Sequence, residues 1–189
     1  MASPIDQPSC DPRDRNAAAG QADRWFAVYT KSRAERVVRD HLQDQGLEPF
    51  LPEHLVWSRR RDRRLSISVP LFPGYLFVRL APRNEMLIRV LRTSGVVSIL
   101  GQGPGTGRPQ PVPDQEVESL KLMLAGPGGA WPEPYLRTGD RVRVMSGPLA
   151  GCTGFVLHRR GAQRLVVSLH IMERSVAVDI PDADLERLN

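Results

Sequence analysis

Side chains able to make or break bonds are few in this chain and far apart. His41, His54, His158 and His170 are scattered, with no neighbouring Cys or carboxylate at metal-ligand spacing. His41 falls on the apolar stripe of a helical segment, where a packed residue is expected rather than a catalyst. Cys10 lies in a polar leader and Cys152 in a turn-rich strand region, so no disulfide framework is indicated and a reducing compartment fits. Residues 101–107 are glycine-rich but broken by Pro104, and they lack the Lys-Ser/Thr that a phosphate-cradling loop requires. No metal, no cofactor and no enzymatic activity are expected.

The chemistry left is that of contact. Phe72-Pro73-Gly74-Tyr75 leads straight into Leu76-Phe77-Val78, a strand that is apolar on both faces. Proline fixes one backbone angle and glycine permits positive φ, so the chain turns sharply and holds Phe72 and Tyr75 at the mouth of the strand. The rings are an aromatic docking edge or, equally, the filling of a small core. A second feature is the basic run Arg59, Arg60, Arg61, Arg63 and Arg64, interrupted by Asp62. It reads as a solvated hairpin tip or as a phosphate-contacting surface. Formal net charge is +5, and every basic residue except Lys31 and Lys121 is arginine. That balance favours a nucleic-acid-rich setting or an acidic protein partner.

Such a corner must be positioned by a sheet. Trp25-Phe26-Ala27-Val28-Tyr29-Thr30 is aromatic and β-branched and predicts the first strand. Ser32 and Glu35 have capping-box spacing, and Ala34, Val37, Val38, His41 and Leu42 then share one helical face until Gly46. Residues 48–55 predict one short strand, which Pro49 and Pro52 confine to an edge or a bulge. Residues 65–69 alternate strictly, predicting a strand with one wet face and the arginines at its hairpin tip. Residues 75–80 predict the central strand. Met86, Leu87, Val90 and Leu91 predict a second amphipathic helix ending at Gly95, and residues 96–100 another strand. Pro113, Asp114 and Glu116 open a third helix whose buried stripe is Val117, Leu120 and Leu124.

With 189 residues, 41% of them hydrophobic, the chain has room for two small domains. Residues 1–23 read as a disordered leader without a signal-peptide core. No run approaches the roughly 18 apolar residues of a membrane span, so a cytoplasmic, membrane-free protein is expected. The expected class is α+β. Residues 24–124 form an α/β sandwich with a mainly antiparallel sheet flanked by helices. Residues 125–136, rich in Gly and Pro, are a flexible linker, and residues 137–189, with about five short strand-like runs, are a small β-barrel.

Within that last segment Val142, Val144, Gly147, Pro148, Leu149, Gly151, Gly154 and Val156 resemble the KOW motif, the β-turn-β unit of an SH3-like barrel. Gly147 and Gly151 suit the tight turn, and Gly154 suits a strand that bends. Ahead of it, residues 25–29, Lys31, Glu35, the 71–78 segment and the 94–101 segment look like the amino-terminal domain of the NusG family, in order and at suitable spacing. The resemblance covers residues 25–189.

What the resemblance implies is a bacterial transcription elongation factor. Its amino-terminal domain would bridge the DNA channel of RNA polymerase from the clamp to the gate loop, keep the clamp closed, suppress pausing and promote antitermination. It implies a clamp-binding patch of Tyr29, Phe72, Pro73 and Tyr75, with Trp25 supporting it from beneath. The arginine run becomes a candidate contact with upstream duplex or the non-template DNA strand. In the barrel, Ile171, Met172 and Arg174 become a candidate partner surface. General members carry a connection resembling Ile-Phe-Gly-Arg there, which engages Rho and a ribosomal small-subunit protein. Met172 and Glu173 replace the aromatic residue and the glycine, which puts Rho binding in doubt and points to a specialised paralog acting on long operons. A general factor coupling polymerase to Rho or the ribosome, and a ribosome-associated KOW RNA-binding protein, are the alternative readings. A monomer is expected.

Overall fold

The computed structural model describes residues 22–57, 66–101, 108–126, 129–133, 140–159, 162–180 and 185–188. Its elements run β1 (Arg24–Thr30), α1 (Glu35–Asp44), β2 (Glu48–Phe50), β3 (Glu53–Trp57), β4 (Ser66–Pro70), β5 (Tyr75–Leu80), α2 (Asn84–Leu91), β6 (Val96–Ile99) and α3 (Asp114–Ala125). Six strands follow: β7 (Trp131–Glu133), β8 (Asp140–Val144), β9 (Thr153–Arg159), β10 (Ala162–Leu169), β11 (Arg174–Ile180) and β12 (Leu185–Arg187). Helices and antiparallel sheets are thus mixed in the first half, and antiparallel strands fill the second.

The first sheet has the order β2-β5-β1-β6, with all pairs antiparallel. Because side chains alternate along a strand, its two faces carry different residues. Phe26, Val28, Leu76, Val78 and Leu80 point to one face, where Val38 and Leu42 of α1 and Leu87 and Val90 of α2 cover them. Trp25, Ala27, Phe77 and half-buried Tyr75 point to the other, which packs against Val117, Leu120 and Met123 of α3. The expected proline-bearing strand is two strands. β2 lies at the edge of this sheet, where Pro49 costs no interior hydrogen bond, and β3 leaves it to pair with β4 in a separate ribbon. The segment with the arginine run, 58–65, joins β3 to β4 and lies outside the described residues.

All three helices depart from the sequence pattern. α1 has no side-chain cap bond, and Glu35, expected in a capping box, is turned inward. Val37 and His41 are exposed, so the inward stripe of α1 is Glu35, Val38 and Leu42. α2 stops at Leu91, before Gly95. α3 buries Ser119 and Met123 beside Val117 and Leu120, whereas Leu124 is only partly covered. A helix buried on two sides is what a layer between two sheets requires.

The second sheet has the order β12-β8-β9-β10-β11-β7. Its apolar positions Val142, Val156, Leu165, Val167, Val176 and Val178 belong to the same core cluster as α3, Trp25 and Phe72. β7 falls within the span expected as linker. It pairs with β11, and its Glu133 accepts from Arg164 Nη1 (3.3 Å), whose guanidinium lies 4.8 Å from the Trp131 ring centroid. Gly154 has a reason to be glycine: a Cβ there would stand 2.4 Å from the Val166 carbonyl oxygen of the neighbouring strand.

Candidate functional site

The corner between β4 and β5 is held from several directions. Pro73 and Gly74 occupy the two central positions of a turn in which the Tyr75 N–H donates to the Phe72 carbonyl (3.0 Å). Gly74 has φ +85°, the left-handed value that a Pro-Gly turn of type II needs. Its carbonyl accepts from the Thr30 N–H (2.8 Å), with the Thr30 hydroxyl 3.3 Å away. The Gly74 N–H donates to Glu35 Oε1 at 2.7 Å, across the 39 residues that separate α1 from the corner. Leu71 is fixed in turn by its N–H to the Pro52 carbonyl (2.8 Å).

This frame sets the aromatic groups. Tyr29 and Tyr75 are cross-strand partners with ring centroids 5.1 Å apart and an interplanar angle of 40°. Tyr29 is 39% exposed, Tyr75 is half-buried and Pro73 is exposed, so the three give an open apolar and phenolic surface. A Cβ on Gly74 would lie 3.1 Å from Tyr29 Cε2, which ties the glycine to the ring as well as to the turn. Phe72 differs from expectation. It is 3% exposed and belongs to the core shared with α3, so its ring supports the corner from inside.

Trp25 is buried beneath the same face. Phe50 meets it edge-on (6.3 Å between centroids), and the Lys121 ammonium of α3 sits 4.6 Å from its ring centroid. That cation over a covered ring is a stabilising contact that no sequence spacing announced. The pair spans β1 and α3, which are far apart along the chain.

The residues of the KOW-like turn come together as one unit. Gly147 and Gly151 both have positive φ, and the Gly151 N–H donates to the Val144 carbonyl (2.8 Å), closing the loop from β8 toward β9 around Pro148. Farther on, His170–Met172 forms a short 3-10 turn in place of a simple strand connection. Met172 is buried, Ile171 half-buried and Arg174 exposed. Glu173, at φ +48°, adopts a left-handed conformation that glycine takes more readily.

Between the turn and α3 lies the second polar cluster. The Thr153 N–H donates to Ser119 Oγ (3.0 Å), and Cys152 Sγ approaches the Ser119 carbonyl at 3.6 Å. Burial pushes the Cys152 thiol up to about 11, so it is held neutral and unreactive. Glu116 of α3 lies 3.0 Å from His170 Nδ1; burial raises its carboxyl above the usual range, and the His170 contact and the charge of Arg141 oppose that shift. Elsewhere, in the β3–β4 ribbon, burial lowers the His54 imidazole. Among the described residues no group of His, Cys, Asp or Glu is placed to hold a metal ion, and no helix is long and apolar enough to cross a membrane.

The family profile described as transcription termination factor NusG matches residues 23–121. Transcription termination/antitermination protein NusG of Thermus thermophilus is 32% identical over 177 aligned residues, covering 82% of this chain and 94% of that protein. The chain belongs to the NusG family. The like-named protein of Staphylococcus carnosus is 26% identical over 88% of this chain and 97% of its own length. Among solved structures, one describing domain interaction in Thermotoga maritima NusG matches with a TM-score of 0.49 at 22% identity, covering 88% of this chain and 98% of that one. The β1 and β5 segments and the first eight residues of α3 fall within the matched profile, so the NusG region contains the tyrosine corner and most of the helix that backs it.

Proposed function

We propose that this NusG-family protein is a transcription elongation and antitermination factor that docks on RNA polymerase through Tyr29, Pro73 and Tyr75, with Phe72 and Trp25 as the packing beneath them. The carrying observation is the paired tyrosine rings, Tyr29 exposed and Tyr75 half-buried, on a corner whose backbone is hydrogen-bonded on both sides. Rigid aromatic anchors lose little entropy on binding and carry much of the energy of protein interfaces. Their partner is the clamp, and the far end of the same domain reaches the gate loop. A factor that binds the closed clamp better than the open one raises the closed fraction by that difference in affinity, and about 2–3 kcal/mol changes pausing substantially. No bond is made or broken by the factor.

In this reading residues 24–124 are the polymerase-binding unit, residues 137–189 close as an SH3-like KOW barrel, and residues 125–136 connect them. The exposed Glu173 and the buried Met172 support a specialised role on long operons over Rho coupling, because neither offers the apolar tip of the general members. Arg59, Arg60, Arg61, Arg63 and Arg64 would meet upstream duplex or the non-template strand, and charge reversal there should flatten the salt dependence of binding to an elongation complex. The deciding experiment is in vitro transcription through an intrinsic terminator with wild type and the Tyr29→Ala/Tyr75→Ala double variant. Readthrough by wild type and its loss in the folded variant are expected. Equal readthrough by the two proteins would remove the tyrosine corner from the mechanism.

A further inference from the structure

We infer that Glu35 is a positioning residue of the docking corner: its buried carboxylate, through the Gly74 N–H, sets the orientation of Tyr29 and Tyr75. The inference rests on the docking reading above. Glu35 opens α1 and is 6% exposed, yet it makes no cap bond to its own helix. Its Oε1 instead accepts from Gly74 at 2.7 Å in a buried setting. The first turn of α1 stabilises the negative charge through the helix dipole, and a charge-assisted bond is about twice as strong as a neutral one.

The geometry downstream explains why one bond matters. Two successive peptides meet at Gly74: Glu35 holds the N–H of the Pro73–Gly74 peptide, and Thr30, which follows Tyr29 in β1, holds the carbonyl of the Gly74–Tyr75 peptide. Tyr75 is the next residue along the chain, and the Tyr29 ring already lies close enough to Gly74 to touch a Cβ placed there. Releasing the N–H frees the Pro73–Gly74 peptide plane to rotate, which shifts Gly74 against the Tyr29 ring it touches and moves the residue from which the chain enters Tyr75. α1 therefore acts, through Glu35, as a brace of the corner from inside the fold.

The test uses the full-length chain and core RNA polymerase, with Glu35→Ala, Glu35→Gln and Tyr75→Ala variants. Three quantities are read: thermal midpoint, polymerase affinity, and the Gly74 amide resonance together with the tyrosine ring resonances. The expected pattern is a roughly tenfold loss of affinity for Glu35→Ala, with displaced Gly74 and tyrosine signals, and recovery to within about threefold in Glu35→Gln, whose amide oxygen still accepts. A structural role alone would lower the midpoint of both Glu35 variants while leaving the affinity of the folded protein and the ring signals unchanged, and that result overturns the inference. If Tyr75→Ala itself binds like wild type, the docking reading fails. The Gly74 and ring signals then decide the brace separately: displacement in Glu35→Ala upholds it, and unmoved signals overturn it.

Discussion

At the scale of single residues, glycine identity and ring placement depend on each other. Gly74 combines a left-handed φ of +85° with the Tyr29 ring 3.1 Å from where a Cβ would stand. Gly74→Ala should therefore cost about 1–2 kcal/mol from backbone conformation alone, with more from the displaced ring, and scanning calorimetry should register a drop of several degrees. An unchanged midpoint would mean that the corner is not built as described. Phe72→Ala should behave differently from Tyr75→Ala. Removing the buried Phe72 ring opens a cavity and should destabilise the fold by about 3–5 kcal/mol, while Tyr75→Ala should leave most of the stability and weaken polymerase binding by about 1–2 kcal/mol. Urea unfolding set beside binding of the folded fraction separates the two.

At the scale of elements, α3 is the shared layer. It covers the Trp25 face of the first sheet and meets β9 and β10 with its other side, where Ser119 accepts the Thr153 N–H. Ser119→Ala leaves that buried donor unpaired and should cost about 1–3 kcal/mol, read from urea unfolding. Cys152 reports on the same seam. An unfolded thiol ionises above pH 9.0, whereas the folded one keeps its proton to about 11, so its contribution to stability is present below pH 9 and lost as pH rises toward 11. The midpoint of wild type should accordingly fall more steeply across that interval than that of Cys152→Ala. These elements were unevenly legible from sequence. β1 and β5 follow from aromatic and β-branched runs, β4 from strict alternation, and β8 to β11 from strand-like runs bounded by turn residues, because those signals are local, whereas β7 fell inside the span read as linker. The second buried face of α3 was hidden because Ser119 is polar and Leu124 continues the Val117–Leu120 stripe as readily as Met123 does; only a neighbour distant in sequence decides which of them is buried. Glu35 was read as a cap for the same reason: its true partner, Gly74, is 39 residues away. Val37 and His41 matched a helical stripe, but the neighbouring sheet covers a narrower band of α1 than the pattern allowed.

At the scale of the whole molecule, one apolar core runs from the Trp25 face through α3 into the second sheet, while the Tyr29–Pro73–Tyr75 corner opens at the surface. The family was readable because two motif sets stand in order along the chain, a property that survives without knowing how the sheets pack. Which of the corner's rings face outward was not readable, since Phe72 and Tyr75 are equally aromatic and three residues apart; the turn at Pro73 and Gly74 decides it by sending one ring inward. The most direct measurement is site-specific photocross-linking from a p-benzoylphenylalanine at position 75, with the full-length chain bound to transcribing RNA polymerase and the adduct mapped by mass spectrometry. An adduct on the tip of the clamp is the predicted result. Saturated binding with adducts only elsewhere on the complex, or none at all, would contradict the claim that the tyrosine corner is what grips the enzyme.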